Sequence, residues 1–212
     1  LTINHAGEIL IGTFFGLSVF NPASGKFSNY THQSNDTSTL SNNSIFTIFI
    51  DKNNGAWIGT SIGGVNYYHK DNNRFSHIHS NSKPYSLINN PVNCIVQQKQ
   101  YIWFGYNGDG ITRFNISTKE IEHFFTDNQG NPISKYKNIS AILPLPDGSL
   151  LLGSLFGGVI YFNPQTGQTR AFYKKEESQH SLKDNRTTTL YRDKENNIWV
   201  GTYDGLFLFN IK

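Results

Sequence analysis

Aromatic residues beside Asn or Asp, in short segments that interrupt the predicted strands, are the candidates for binding chemistry in this chain. A flat ring can pack against the C–H groups of a sugar, and carboxylate or amide oxygens can accept hydrogen bonds from its hydroxyls. These segments therefore predict an oligosaccharide-binding surface, and the alternative is that they are ordinary loop side chains. The predicted ligand-binding residues are Phe15, Tyr106, Asp109, Phe156, Tyr203 and Asp204.

Catalytic and metal-binding patterns are much weaker. His77 and His79 would lie on one face of a strand, but no third ligand recurs nearby, so no metal site is predicted. No nucleophile elbow or His/Asp/Ser grouping is present, and Asp and Glu fall mainly in turns. Cys94 lies alone in an apolar stretch and is interpreted as a small buried residue. We expect no enzymatic activity from this segment and no cofactor.

The three tryptophans could be sugar-stacking platforms, but their spacing favours a structural role. Each precedes a strand glycine by two residues, at Trp57, Trp103 and Trp199. A fixed place in a repeated phrase predicts packing between neighbouring sheets. Turn carboxylates also recur, at Asp51, Asp147 and Asp193, which predicts that they bond the turn backbone.

One four-residue phrase organises the whole chain. Trp57-Ile58-Gly59-Thr60 is its clearest copy, and the glycines of the five copies are 46–48 residues apart. Self-similarity at such a period indicates one supersecondary unit used five times. The five glycines, all predicted to be structural, are Gly12, Gly59, Gly105, Gly153 and Gly201.

Each unit has the pattern of four short antiparallel strands. In the second copy these are predicted at 45–50, 56–60, 65–68 and 75–78, with Asn, Asp and Gly in the turns between them. Four strands in about 47 residues is typical of a propeller blade. We therefore predict an all-β fold, a β-propeller of about five four-stranded antiparallel blades. The repeats cover 1–44, 45–91, 92–138, 139–186 and an incomplete 187–212.

Composition and the chain ends complete this picture. The net charge of +3 is small and no basic stripe occurs, so nucleic acid is not an expected partner. No apolar run approaches the 18 residues or so of a membrane span. The chain has no Met, and its fifth repeat stops after three predicted strands. We expect it to be a piece of a larger propeller.

The segment from Ile48 to Tyr68, with its Trp-Ile-Gly-Thr and Gly-Gly-Val phrases, resembles the two-component regulator propeller repeat. Asp193 to Phe209 resembles it nearly as well, whereas the first and fourth copies carry Leu10 and Leu151 in place of Trp. The resemblance implies the periplasmic sensor of a hybrid two-component system. Such sensors have seven-bladed propellers, followed by a transmembrane helix, a histidine kinase and further domains.

This resemblance implies a non-catalytic module that binds an oligosaccharide or relays its binding. The implied partners are the oligosaccharide, the remaining blades and downstream signalling domains of the same protein, and a second copy in a homodimer. Two alternatives stay open. One is a propeller lyase of the streptogramin-lyase type, and the other is a structural scaffold whose ligand binds elsewhere.

Overall fold

The computed structural model describes residues 1–69, 71, 74–79, 87, 91–108, 110–125, 138–174 and 181–210, and within them every regular element is a β-strand. The first sheet contains β1 (Thr2–Ile3), β2 (Ile9–Thr13), β3 (Gly16–Asn21) and β4 (Lys26–Tyr30). The second contains β5 (Ile45–Ile50), β6 (Ala56–Thr60), β7 (Val65–Tyr68) and β8 (Phe75–Ile78). The third contains β9 (Val92–Gln98), β10 (Tyr101–Tyr106), β11 (Ile111–Asn115) and β12 (Ile121–Phe124).

The last two sheets continue the same order. The fourth contains β13 (Ile139–Pro144), β14 (Leu150–Ser154), β15 (Gly158–Phe162) and β16 (Thr169–Phe172). The fifth contains β17 (Thr187–Arg192), β18 (Ile198–Thr202) and β19 (Gly205–Phe209). Strands that follow one another in sequence are neighbours in each sheet. The prediction of four-stranded antiparallel blades is confirmed, with three strands in the fifth across the described residues.

Two compact units make up the chain. One contains Leu1–Ile95 and Phe114–Glu122, and the other contains Val96–Arg113 and His123–Lys212. In the first unit, Leu10 and Leu17 pack with Ile45 and Ile58 of the next sheet. In the second unit, core residues of the fourth and fifth sheets pack together: Leu151, Val159, Leu182, Ile198 and Val200. Burial between successive sheets explains why one repeat needs a neighbour.

The connector between sheets contributes to both neighbours. Leu40 and Leu182, from the repeated Ser/Thr-Leu phrase, are buried in these cores. Three residues further on, the Asn43 carbonyl accepts a 2.9 Å hydrogen bond from Gly16 N, and the Asn185 carbonyl accepts one of 3.0 Å from Gly158 N. The side-chain Oδ1 of each Asn accepts a further backbone bond, from His32 N and Lys174 N respectively. Asn43 and Asn185 therefore tie the connector to the sheet that precedes it.

The first strand of three sheets carries a β-bulge at an equivalent position. The pairing shifts between Ile45 and Thr47 in β5, between Ile139 and Ala141 in β13, and between Thr187 and Thr189 in β17. A bulge leaves one residue out of the ladder and redirects its side chain. The residues so redirected are Phe46, Ser140 and Thr188.

Candidate functional site

The turns between the second and third strands are held by a side-chain hydroxyl from the repeated phrase. Thr60 Oγ1 donates to the Gly64 carbonyl and accepts from Gly63 N, both at 3.0 Å. Thr13, Ser154 and Thr202 make equivalent bonds inside their own turns. The backbone of each turn is thus fixed by internal hydrogen bonds, and the residues between the strands are presented to solvent.

In the first unit, three phenylalanines lie at this end of the sheets. Phe15 is 85% exposed and Phe14 is 71% exposed. The bulged residue Phe46 packs edge-on against Phe14, with ring centroids 6.5 Å apart. The sequence identified the Phe14-Phe15 turn, but not Phe46, which falls in an apolar run and is turned outward by the bulge.

In the second unit, Tyr203 and Phe156 are 65% and 71% exposed, and Asp204 is also exposed. The guanidinium carbon of Arg186 lies 5.0 Å from the centroid of the Tyr203 ring. Tyr203 N also donates a 3.3 Å hydrogen bond to the Arg186 carbonyl. Arg186 therefore holds the tyrosine ring in place from one side, a role that the sequence analysis missed.

Arg186 is itself fixed by a buried carboxylate. Its Nη2 and Nε donate to Asp184 Oδ2 at 2.7 and 2.9 Å, and its backbone N donates to Asp184 Oδ1 at 2.9 Å. These hydrogen bonds hold the pKa of Asp184 below its ordinary value, and the carboxylate raises the pKa of Arg186. A charge-assisted pair of this geometry is strongly directional, so it holds the guanidinium of Arg186 against the ring of Tyr203.

The structure corrects the prediction for Tyr106. This residue is the last of β10 and is fully buried, whereas an exposed ring in the following turn was predicted. Tyr106 occupies the fourth position of the repeated phrase, like Thr60, which is also fully buried. The strand therefore continues through this position and turns its side chain inward. Asp109 lies outside the described residues.

The tryptophans lie away from these turns and bond within their own sheets. Trp57 is 4% exposed and Trp103 is fully buried, while Trp199 is half-buried. The Trp57 ring packs on Tyr67 and on Phe114 of the third sheet, at centroid distances of 4.7 and 5.7 Å. Trp103 Nε1 donates to Gln98 Oε1 at 3.2 Å.

In two of the repeats, the turn carboxylate accepts hydrogen bonds both from the turn backbone and from the indole of a tryptophan. Asp193 Oδ1 accepts from the backbone N of Glu195 and Asn197, and its Oδ2 accepts from Trp199 Nε1 at 2.9 Å. Asp147 accepts from Ser149 through both backbone N and Oγ. It lies four residues before Leu151, not six before a tryptophan, so it is not the counterpart of Asp193.

The strand glycines lie close to neighbouring side chains, with little space for a side chain of their own. A methyl group added at Gly12 would lie 2.5 Å from Ile45 Cγ2 of the next sheet. One added at Gly59 would lie 2.6 Å from Thr47 Cγ2 and 3.0 Å from Val92, and one at Gly153 would lie 2.7 Å from Thr187 Cγ2. Gly201 is similarly placed against Thr189. The absence of a side chain thus permits close packing of the first strands.

Within the described part of the chain, no three His, Cys, Asp or Glu side chains come together in a way that could hold a metal ion. His77 Nε2 bonds instead with the Thr39 carbonyl at 2.7 Å. The same described residues include no helix with the length and apolar character needed to cross a membrane.

The family model for the two component regulator propeller matches residues 39–61 and 181–204. These segments contain the connector, first strand, carboxylate turn and second strand around Trp57 and Trp199. They correspond to the two copies whose repeat pattern is most complete. The resemblance seen in the sequence is confirmed.

Similar proteins include a much longer curated one. Histidine kinase P4 of Formosa agariphila is 27% identical over 240 residues, which cover 92% of this chain and 17% of the kinase. The chain therefore spans about a sixth of the length of that relative.

Solved structures show the same fold. The extracellular domain of a putative hybrid two component system from B. thetaiotaomicron aligns with a TM-score of 0.79 and 24% identity, over 98% of this chain and 26% of that one. Virginiamycin B lyase from Staphylococcus aureus aligns with a TM-score of 0.65 and 15% identity, over 99% and 68%. At these identities the likeness concerns the fold alone. The chain is a stretch of β-propeller in which two segments match the two component regulator propeller.

Proposed function

We propose that this chain is part of the extracytoplasmic sensor module of a hybrid two-component signalling protein. In this proposal the segment is non-catalytic, lies in the periplasm, and binds an oligosaccharide or relays its binding. The observation that carries the proposal is the set of exposed rings on turns fixed by hydrogen bonds. Those rings are Phe15, Phe156 and Tyr203.

The physical advantage of this arrangement is pre-organisation. The hydroxyl of Thr13 accepts from Phe15 N at 2.9 Å, and Arg186 steadies the ring of Tyr203. A platform that is already ordered loses little conformational entropy when a ligand binds. Exposed rings beside acceptors such as Asp204 suit the alternating apolar and hydroxyl surfaces of a sugar chain.

The relatives support the signalling part of the proposal. One is named a histidine kinase, and another is the extracellular domain of a putative hybrid two component system. The partners we propose are the oligosaccharide, the remaining blades and signalling domains of the same protein, and a second copy in a homodimer.

Calorimetric titration of the full-length protein with a panel of oligosaccharides tests the proposal. Phe15→Ala and Tyr203→Ala should each weaken binding by about tenfold, the effect of losing one stacking contact of about 1–1.5 kcal/mol. Tyr191→Ala is the matched control, because Tyr191 is 60% exposed but lies in β17. Oligosaccharide binding that is unchanged in both turn variants would place recognition elsewhere. No binding by any member of the panel would contradict the proposal as a whole.

A further inference from the structure

A pocket of about 310 Å³ lies in the first unit, away from the turns discussed above. Its walls come from the end of β4, the connector that follows, and strands β7 and β8. The volume is at the lower end of the range for small-molecule sites in proteins. No single sequence segment marks this pocket, because its residues come from two repeats and from a connector.

Three aromatic rings form one side of the pocket. The ring centroids of Tyr30 and Tyr68 are 6.2 Å apart, those of Tyr30 and Phe75 are 5.8 Å apart, and those of Tyr68 and Phe75 are 5.1 Å apart. Phe75 is buried, and the two tyrosines are half-buried. Burial and the neighbouring Tyr30 raise the pKa of Tyr68 above its ordinary value.

Amides and hydroxyls form the other side, and hydrogen bonds hold several of them. Gln33 Nε2 donates to Thr31 Oγ1 at 3.1 Å, whereas Asn29 Oδ1 accepts from Ser18 Oγ at 2.7 Å on the face of β4 opposite Tyr30. Gln33 N donates to Thr39 Oγ1 at 3.0 Å. These contacts fix the polar wall before any ligand arrives.

The lining side chains among the described residues are uncharged. A carboxylate or sulfate bound there would meet no cation among them and would be repelled by Asp36, which accepts hydrogen bonds from Ser38 N and Oγ. A ligand with an apolar face, several hydroxyls and no charge would instead match both walls. The lining chemistry therefore separates neutral from acidic sugars.

We propose that this pocket between β4, β7 and β8 binds a single neutral sugar residue, stacked on the aromatic cluster and hydrogen-bonded by Gln33. The inference rests on the proposed function, since it adds a second contact point for the same class of ligand. It goes further by selecting uncharged sugars and by placing the contact outside the exposed turns.

Saturation-transfer NMR on the full-length protein tests this pocket. The probes are the methyl glycosides of glucose, galactose, mannose, xylose, arabinose and fucose, with methyl glucuronide as the acidic comparison. At least one neutral glycoside should bind, and methyl glucuronide should bind more weakly. Gln33→Ala should weaken that binding by about tenfold, as expected for one lost hydrogen bond. Gln33 is exposed, so folding should be preserved.

Two control variants make the result decisive. Ser28→Ala changes an exposed residue of β4 that does not line the pocket, and Tyr203→Ala changes the turn surface of the other unit. Both should leave glycoside binding unchanged. No binding by any probe, preference for the glucuronide, or unchanged binding in Gln33→Ala would overturn the inference. If oligosaccharides bind and only Tyr203→Ala weakens them, the proposed function stands and this pocket has no part in it.

Discussion

Trp57 Nε1 donates a 2.8 Å hydrogen bond to Oδ2 of Asp51, the residue six positions earlier in the chain. Oδ1 of the same carboxylate accepts from the backbone N of Asn53 and Gly55. One side chain therefore closes the first turn and satisfies the indole of the following strand. Asp193 and Trp199 repeat the arrangement.

The first repeat shows why the second carboxylate oxygen of Asp51 matters for the indole. Where the first repeat has Leu10, the equivalent turn residue is Asn4, whose Oδ1 makes the same backbone bonds to Ala6 N and Glu8 N. An amide has only one acceptor oxygen, which suffices where no indole follows. In the second and fifth repeats a turn carboxylate therefore accompanies a tryptophan, whereas Trp103 of the third repeat donates to the amide of Gln98.

The first prediction concerns this pairing. Asp51→Asn should lower the free energy of unfolding by about 1–3 kcal/mol, because Trp57 Nε1 would lose its acceptor in a buried site. The same substitution should have a much smaller effect in a Trp57→Leu background, so that a double-mutant cycle in urea shows coupling.

Asp147→Asn is the control for the first prediction. This carboxylate accepts from Ser149 rather than from an indole, so the loss should be small. Equal losses from Asp51→Asn with and without Trp57 would show that the turn alone matters.

The second prediction concerns acid. Hydrogen bonds from Trp199 and Asn197 hold the pKa of Asp193 below its ordinary value. The carboxylate therefore stabilises the folded state fully above the unfolded-state pKa of about 3.9, and this contribution is lost as pH falls through the folded-state pKa. Trp199→Phe should raise the pKa of Asp193 in a carbon-13 carboxyl titration.

Asp184 provides the internal reference for that titration. Its low pKa depends first on Arg186, which Trp199→Phe does not alter. A pKa of Asp193 that stays unchanged in the variant would show that the indole bond does not perturb this carboxylate.

The third prediction tests the glycine of the repeated phrase. Gly153→Ala should destabilise the protein by about 1–3 kcal/mol, because the new methyl would lie 2.7 Å from Thr187 Cγ2. Adding Thr187→Ser removes that methyl and should restore most of the loss. Urea unfolding of the single and double variants measures this rescue. A double variant no more stable than Gly153→Ala would mean that strain has another source.

The fourth prediction separates a buried tyrosine from an exposed one. Tyr106→Ala should cost about 3–5 kcal/mol, the range for a large aromatic removed from a core. Tyr203→Ala should change stability by no more than about 0.5 kcal/mol, as expected at the surface. Thermal and urea unfolding of both variants distinguishes the roles. A small loss in Tyr106→Ala would contradict its burial.

Sequence periodicity predicted the strands well because each repeat presents the same apolar spacing several times. In the second repeat the predicted strands 45–50, 56–60, 65–68 and 75–78 agree with β5 to β8. Side-chain direction was harder to predict at the ends of strands. Tyr106 looked like a turn residue because Asn and Gly follow it, although its place in the phrase corresponds to the buried Thr60.

Contacts between distant parts of the chain escaped the sequence analysis for a different reason. Phe46 turns outward at a bulge, and a bulge has no signature in an apolar run. Arg186 reaches Tyr203 from the connector, and Tyr30 meets Tyr68 across two repeats. Such pairs follow from how the sheets pack, which periodicity within one repeat does not specify.

The connector asparagines have a consequence for how such chains can grow. Asn43 and Asn185 each lie 27 residues after the glycine whose N–H they accept, and each also accepts a backbone N–H that follows a fourth strand. All the residues joined by these hydrogen bonds therefore lie within one repeat length. Duplicating or deleting a whole repeat would carry this complete set of hydrogen bonds with it, whereas a change of length that displaces Asn43 or Asn185 would leave backbone donors without acceptors. Gene duplication in steps of one full unit is the route that this bonding pattern favours.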